Sequence, residues 1–121
     1  MKLKSIVMAA ALCSASFSVV AADFMSGEQI KATVSGKTMT WEHMFKSKSG
    51  KSYYAEDGTI TGIKNGSPRE GTWKIEGDNL CVSYGKCLAI EADGNGGFYK
   101  VKNGSKRVVH VTVIEDGKTV K

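Results

Sequence analysis

Cys81 and Cys87 are the residues whose type and spacing most directly imply chemistry in this chain. Suppose Ser83-Tyr84-Gly85 forms a three-residue hairpin loop, with Gly85 in the left-handed position that such loops place last. Then 82 faces 86, and 81 faces 87. Directly opposed residues in an antiparallel pair stand about 4.5–5.5 Å apart, within disulfide range. Leu80 and Leu88 pair on the other face, pointing inward. The spacing therefore predicts a bridge. A metal-binding thiol pair would need further ligands at a suitable spacing, and none is evident. A redox pair would be spaced Cys-x-x-Cys, which this is not.

The third cysteine, Cys13, belongs to a segment of different character. Met1-Lys2-Leu3-Lys4 is a short cationic start. Ser5 to Val20 is mostly apolar and uncharged, and Val20-Ala21-Ala22 offers small residues where a signal peptidase needs them. Residues 1–22 read as a signal peptide, removed on export. Removal leaves Cys81 and Cys87 as an even pair in a periplasmic or secreted protein, where disulfides persist. It also lowers the formal net charge from +5 to +3. A lipid anchor on Cys13 is disfavoured by the bulky Leu12 before it. No stable membrane span is expected after cleavage.

Other chemistry has little support. His43 and His110 are the two histidines. His43 alternates with Met39, Trp41 and Phe45 and reads as a hydrogen-bonded residue on the core side. His110, between Val109 and Val111, reads as outward-facing. No nucleophile elbow or phosphate-binding loop occurs, and the glycines read as turn residues. Glu56-Asp57 and Glu115-Asp116 each adjoin a turn glycine and read as solvated. The two arginines, Arg69 and Arg107, and the scattered lysines form no basic stripe interleaved with aromatics, so nucleic-acid binding is not expected. Neither enzyme activity, a metal nor a cofactor is expected.

The elements that would carry these residues follow from periodicity. Ser26 and Gln29 stand at capping-box spacing, Ile30 and Val34 share a helical face, and Gly36 suits a helix stop. One or two turns of helix are predicted over Ser26 to Ser35. Thereafter the period is two, with turn signals such as Asp57-Gly58, Asn65-Gly66, Gly77-Asp78 and Asn103-Gly104. Eight strands are predicted: Lys37–Phe45, Lys51–Ala55, Thr59–Lys64, Gly71–Ile75, Leu80–Val82, Lys86–Ala92, Gly97–Lys102 and Arg107–Ile114. Pro68 is assigned to a connection. Alternation offers Met39, Trp41, His43 and Phe45, Trp73 and Ile75, and Val109, Val111 and Val113 as core. The fold class is mainly β. An antiparallel meander closes residues 23–121 into one small lipocalin-like (calycin) barrel of about eight strands, which also removes exposed sheet edges.

A barrel of this strand number either fills its interior with side chains or holds one small ligand. A chain this short favours the filled version. Were a ligand held at the mouth, Trp41, His43, Trp73 and Tyr99 are the candidate binding residues.

The order of features resembles a family of small bacterial exported proteins known as a domain of unknown function with lipocalin-like character. The resemblance rests on Ser35-Gly36-Lys37-Thr38 before a strand carrying Trp41, on Tyr53-Tyr54-Ala55-Glu56-Asp57-Gly58-Thr59, and on Gly71-Thr72-Trp73 leading through Asp78-Asn79-Leu80 to Cys81 and then Cys87. It implies export, a β-rich barrel and no established enzyme activity, and it supplies no catalytic residues. Lipocalins proper carry Gly-x-Trp on the first strand; here it is mid-chain, so their ligand binding is not implied. More weakly, Ser49-Gly50-Lys51-Ser52-Tyr53 is similar to the Ser-Gly-x-x-Tyr stretch of small periplasmic lysozyme inhibitors. That similarity implies an exposed inhibitor loop in which Ser49 and Lys51 reach an enzyme's catalytic carboxylates, although a basic host would repel a basic lysozyme at long range.

The sequence thus leads to a non-enzymatic, disulfide-bonded, monomeric β-domain of the periplasm or the medium. Its partner would be a small ligand or an envelope protein, with a cell-wall hydrolase as the alternative target.

Overall fold

The computed structural model describes residues 23–120; the signal-peptide reading, with Cys13, falls outside them. Helix α1 spans Gly27–Val34. The Ser26 side chain accepts the Gln29 amide at 3.2 Å, and the Gln29 side chain accepts the Ser26 amide at 2.8 Å. This reciprocal cap satisfies two amides that the first helical turn leaves without partners. Gly36, at φ 74°, ends the helix in a conformation that glycine adopts without steric cost.

Eight strands follow: β1 (Lys37–His43), β2 (Ser49–Tyr54), β3 (Thr59–Lys64), β4 (Ser67–Glu76), β5 (Asn79–Val82), β6 (Cys87–Ala92), β7 (Phe98–Lys102) and β8 (Lys106–Asp116). Each pairs antiparallel with the next, and β1 closes on β8 to complete a barrel. All eight predicted strands are present. The β3–β4 turn is the two residues Asn65-Gly66, both with positive φ (50° and 86°). That is the backbone a two-residue hairpin needs, and Asn-Gly supplies it most readily.

α1 lies across one end of the barrel, packed against β1, β4 and β5. Ile30 and Val34 are fully buried among Met39, Ile60, Trp73, Leu80, Ile90 and Phe98. Burying a side chain of the Ile or Leu class contributes about 1.5–3 kcal/mol, so this end holds most of the apolar stabilisation. An N-terminal arm completes it. The Asp23 carbonyl accepts the Ala92 amide at 2.9 Å, and the Met25 amide donates to the Ile90 carbonyl at 2.8 Å. The arm thereby covers the part of β6 that the shorter β5 leaves unpaired.

The hairpin register is the predicted one: Cys81 faces Cys87 and Leu80 faces Leu88. The two sulfurs are joined, with the Cα atoms 3.9 Å apart. A loop this short gives the crosslink about 2 kcal/mol in the chain-entropy account. The loop reaches this register by another route than predicted, because Gly85 has no positive φ. Instead Ser83 continues the ladder beyond β5. Its amide donates to the Thr72 carbonyl and its hydroxyl accepts the Thr72 amide, both at 2.9 Å.

Three further expectations are corrected. Pro68 stands within β4, opposite Ile63, rather than in a connection. The β5 ladder reaches only Trp73–Glu76, so β4 has a single sheet neighbour at Pro68 and its missing N–H costs no bond. Val113 is 45 % exposed. A bulge in the β1–β8 ladder sets Thr40 opposite Val113 but Trp41 opposite Val111, which shifts the alternation by one and packs Ile114 against the core instead. Phe45 lies beyond the end of β1 and is 63 % exposed.

Candidate functional site

The barrel's other end is not filled. A cavity of about 350 Å³ opens there, between the β1–β2, β3–β4 and β5–β6 loops. The expectation of a filled interior therefore holds only for the half beneath α1.

Small inward positions make the space. Ser52 and the strand glycines Gly50, Gly62 and Gly71 share the inward face of β2, β3 and β4 with Tyr54, Ile60 and Trp73. These glycines are not turn residues: a Cβ on Gly50 or Gly62 would press on the backbone carbonyl of Ile63 or Lys51, and one on Gly71 on the side chains of Ser83 and Tyr84. A Cβ on Gly50 would lie 3.1 Å from the Trp41 ring, and one on Gly71 would lie 2.8 Å from the Tyr84 ring. The Tyr84 ring therefore occupies space ceded by Gly71, while Gly50 permits the close approach of the Ile63 backbone beside Trp41. Trp41 is held by its indole N–H, which donates to Ser52 Oγ at 3.2 Å.

Cations converge on this mouth. Lys46 and Lys48 come from the β1–β2 loop, Lys64 from β3, Arg69 from β4, Lys86 from the β5–β6 loop and Lys100 from β7. None of the lining residues described is acidic. Ion pairs among the described residues lie elsewhere: Lys37 with Asp116, Lys51 with Glu115, Lys74 with Glu76, Arg107 with Glu91 and His110 with Asp93. Five of the lysines that read as scattered in the sequence are thus gathered at one end of the fold.

Lys100 is the deepest of them. Its ammonium donates to Tyr54 Oη at 3.1 Å, and Tyr54 is only 3 % exposed. Burial pushes the Tyr54 phenol well above its ordinary range, so this partner is neutral. Burial in turn lowers the Lys100 pKa, an effect that the Tyr84 phenol opposes and the Arg69 charge reinforces. Arg69 stacks over the Tyr84 ring at 3.8 Å and stands 5.6 Å from the Trp41 ring. Lys64 titrates below its ordinary value chiefly because Lys48 lies beside it.

His43 sits at the rim. Its Nδ1 accepts the Phe45 amide at 3.1 Å, which places the proton of the neutral ring on Nε2. Its pKa is lowered first by burial, then by Lys46, Lys48, Lys106 and Lys64. A neutral His43 therefore has one N–H left to donate. The β1–β2 loop that follows it is fixed by Asn65, whose side chain accepts the Ser49 amide at 2.9 Å and whose amide donates to the Ser49 carbonyl at 2.8 Å.

Of the four predicted ligand residues, Trp41 and His43 line the cavity. Trp73 is buried in the closed half, its indole N–H donating to the Ala55 carbonyl at 2.8 Å. Its ring meets the edge of Tyr54, which floors the cavity. Tyr99 is on the outer face. It stacks on His110 at 4.3 Å, and His110 in turn meets Asp93 at 2.8 Å. Ser49 and Lys51 belong to β2 rather than to a loop, with Lys51 3.8 Å from Glu115. The cysteine bridge is exposed at Cys87 and does not line the cavity. Sequence reasoning missed Arg69, Tyr84 and Lys100. A signal existed for Lys100, two residues from the inward Phe98, and for the glycines placed inside strand-like runs.

No family model, curated protein or solved structure matches this chain. The two resemblances therefore rest on their motifs alone, and the site is interpreted from its own chemistry.

Proposed function

We propose that this chain is an exported, non-enzymatic binding protein that takes a small ligand into the open half of its barrel. One observation carries the reading: a cavity of about 350 Å³ walled by Trp41, Val109 and Val111 and floored by Tyr54. Concave, mainly apolar pockets with a few directed polar groups are what small-molecule sites require. The crosslinked hairpin supports an oxidising compartment, hence the periplasm or the medium. In this reading the protein is monomeric and has no chemical step to perform.

The neutral dye N-phenyl-1-naphthylamine tests the reading, since it fluoresces on entering an apolar site. A saturable, one-to-one enhancement is expected for the wild-type protein. Val109→Trp fills the cavity from β8 and should abolish it. No saturable enhancement, or one that Val109→Trp leaves unchanged, would refute binding at the mouth.

A further inference from the structure

The charge of the cavity says more than its shape. Six cationic side chains line it, and no described lining residue is acidic. Four of the six, Lys46, Lys48, Lys64 and Lys86, stand at the rim, where water screens them and a single ion pair gains little. Lys100 and Arg69 are different. The Lys100 ammonium is inside the barrel with a neutral phenol as its hydrogen-bond partner. The Arg69 guanidinium is packed over Tyr84 and Trp41, with no carboxylate in ion-pair contact among the described residues. A charge held inside as the Lys100 ammonium is normally has an ionic partner, because desolvation is costly without one. Among the described residues the complementary charge is missing, and a ligand can bring it.

We propose that the cavity takes a small organic anion, its charged group inward against Lys100 and Arg69 and its apolar body along Trp41, Val109 and Val111. This rests on the mouth-binding reading and names the ligand class for it. The inward orientation follows from dielectric. An ion pair formed beside Tyr54, away from bulk water, is stronger than one formed at the rim. Arg69 can present two parallel N–H groups to a carboxylate, and Lys100 adds a third donor. The rim lysines then act at long range, drawing anions to the mouth and speeding their entry. The volume lies near the lower end of the usual range of roughly 300–1,000 Å³. It suits a medium-chain or single-ring acid rather than a long-chain lipid.

Octanoate and 1-octanol share one chain and differ only in the head group, so calorimetric titration of both isolates the charge. Octanoate should bind at least about tenfold more tightly than octanol, the scale of one charge-assisted hydrogen bond. Lys100→Gln alone keeps a donor toward Tyr54 and should narrow that gap; combined with Arg69→Gln it removes both inner charges and should close it. Tyr54→Phe keeps Lys100 and should preserve it. Neutralising the rim with Lys46→Gln, Lys48→Gln and Lys64→Gln should slow association and weaken its salt dependence while preserving the preference. Equal affinity for the two ligands would overturn the inference and leave mouth binding standing. A preference that survives the combined Lys100→Gln and Arg69→Gln changes would place the anion at the rim and overturn the inward orientation. Binding of neither ligand, together with no response to the neutral dye, would overturn both.

Discussion

The two halves of this barrel are built from the same strands by opposite rules. Beneath α1, alternate positions carry Met39, Ile60, Leu80, Ile90 and Phe98, all 2 % exposed or less, and the helix adds Ile30 and Val34. Toward the mouth, the same strands carry Trp41, Gly62, Arg69 and Lys100 on the inward side. One half gives up free volume for stability; the other keeps volume and concentrates unpartnered charge. The contrast teaches where substitutions should register as lost stability and where as lost binding.

The largest effect should come from truncating the plug. Ile30→Ala removes a fully buried side chain between helix and barrel and should cost about 2–5 kcal/mol in urea unfolding. Val109→Ala at the mouth only enlarges an existing cavity and should cost about 1 kcal/mol. Equal losses at the two sites would erase the distinction between the halves.

How much of this was legible depended on whether the information was local. The helix was readable because Ser26, Gln29, Ile30, Val34 and Gly36 encode cap, face and stop within eleven residues. The cysteine register was readable because loop length and alternation determine it together, even though Gly85 plays another part than the one assigned. Non-local features were hidden. The bulge that turns Val113 outward depends on how β8 meets β1, some seventy residues away, and nothing in the run Val109 to Val113 announces it. Tyr99 was misplaced because adjacent aromatics, Phe98 and Tyr99, leave alternation with no way to choose the inward one. The cationic mouth was missed for a more general reason. Apolar residues were assigned inside and charges outside, and a ligand site is where that rule fails.

An intermediate effect should come from Gly71, which joins packing to the mouth. A Cβ there would lie 2.6 Å from Ser83 Oγ and 2.8 Å from Tyr84 Cδ2, so Gly71→Ala must push the loop and the Tyr84 ring aside. Overpacking of this kind costs about 1–3 kcal/mol. The closed half should remain native, while the aromatic surface beneath Arg69 is lost. In NMR spectra, shifts should be confined to Arg69, Trp41 and residues 82–86. Octanoate affinity should fall through loss of positioning. Unchanged Tyr84 and Arg69 signals would show that the glycine has no part in shaping the mouth.

The smallest effect is a titration, and it reports on the mouth alone. In the empty protein, burial and the charges of Lys46, Lys48, Lys64 and Lys106 hold the His43 pKa below 6.5. A histidine whose folded pKa is lowered leaves the unfolded chain binding more protons between the two values. Its contribution to stability is present above about pH 6.5 and is lost as pH falls through the unfolded value toward the folded one. An anion in the cavity supplies the opposite charge and favours the imidazolium, so octanoate should raise the His43 pKa. By linkage, octanoate affinity should then rise as pH falls through that window, while the ligand carboxyl remains ionised. Ring-carbon NMR of His43, recorded with and without octanoate, measures both limbs. Signals of the His110 ring, on the outer face against Tyr99, should not move when octanoate is added. A His43 titration unmoved by octanoate, or moved downward, would mean that the bound anion lies out of electrostatic reach of the rim, and the cations there would have to be explained without a ligand.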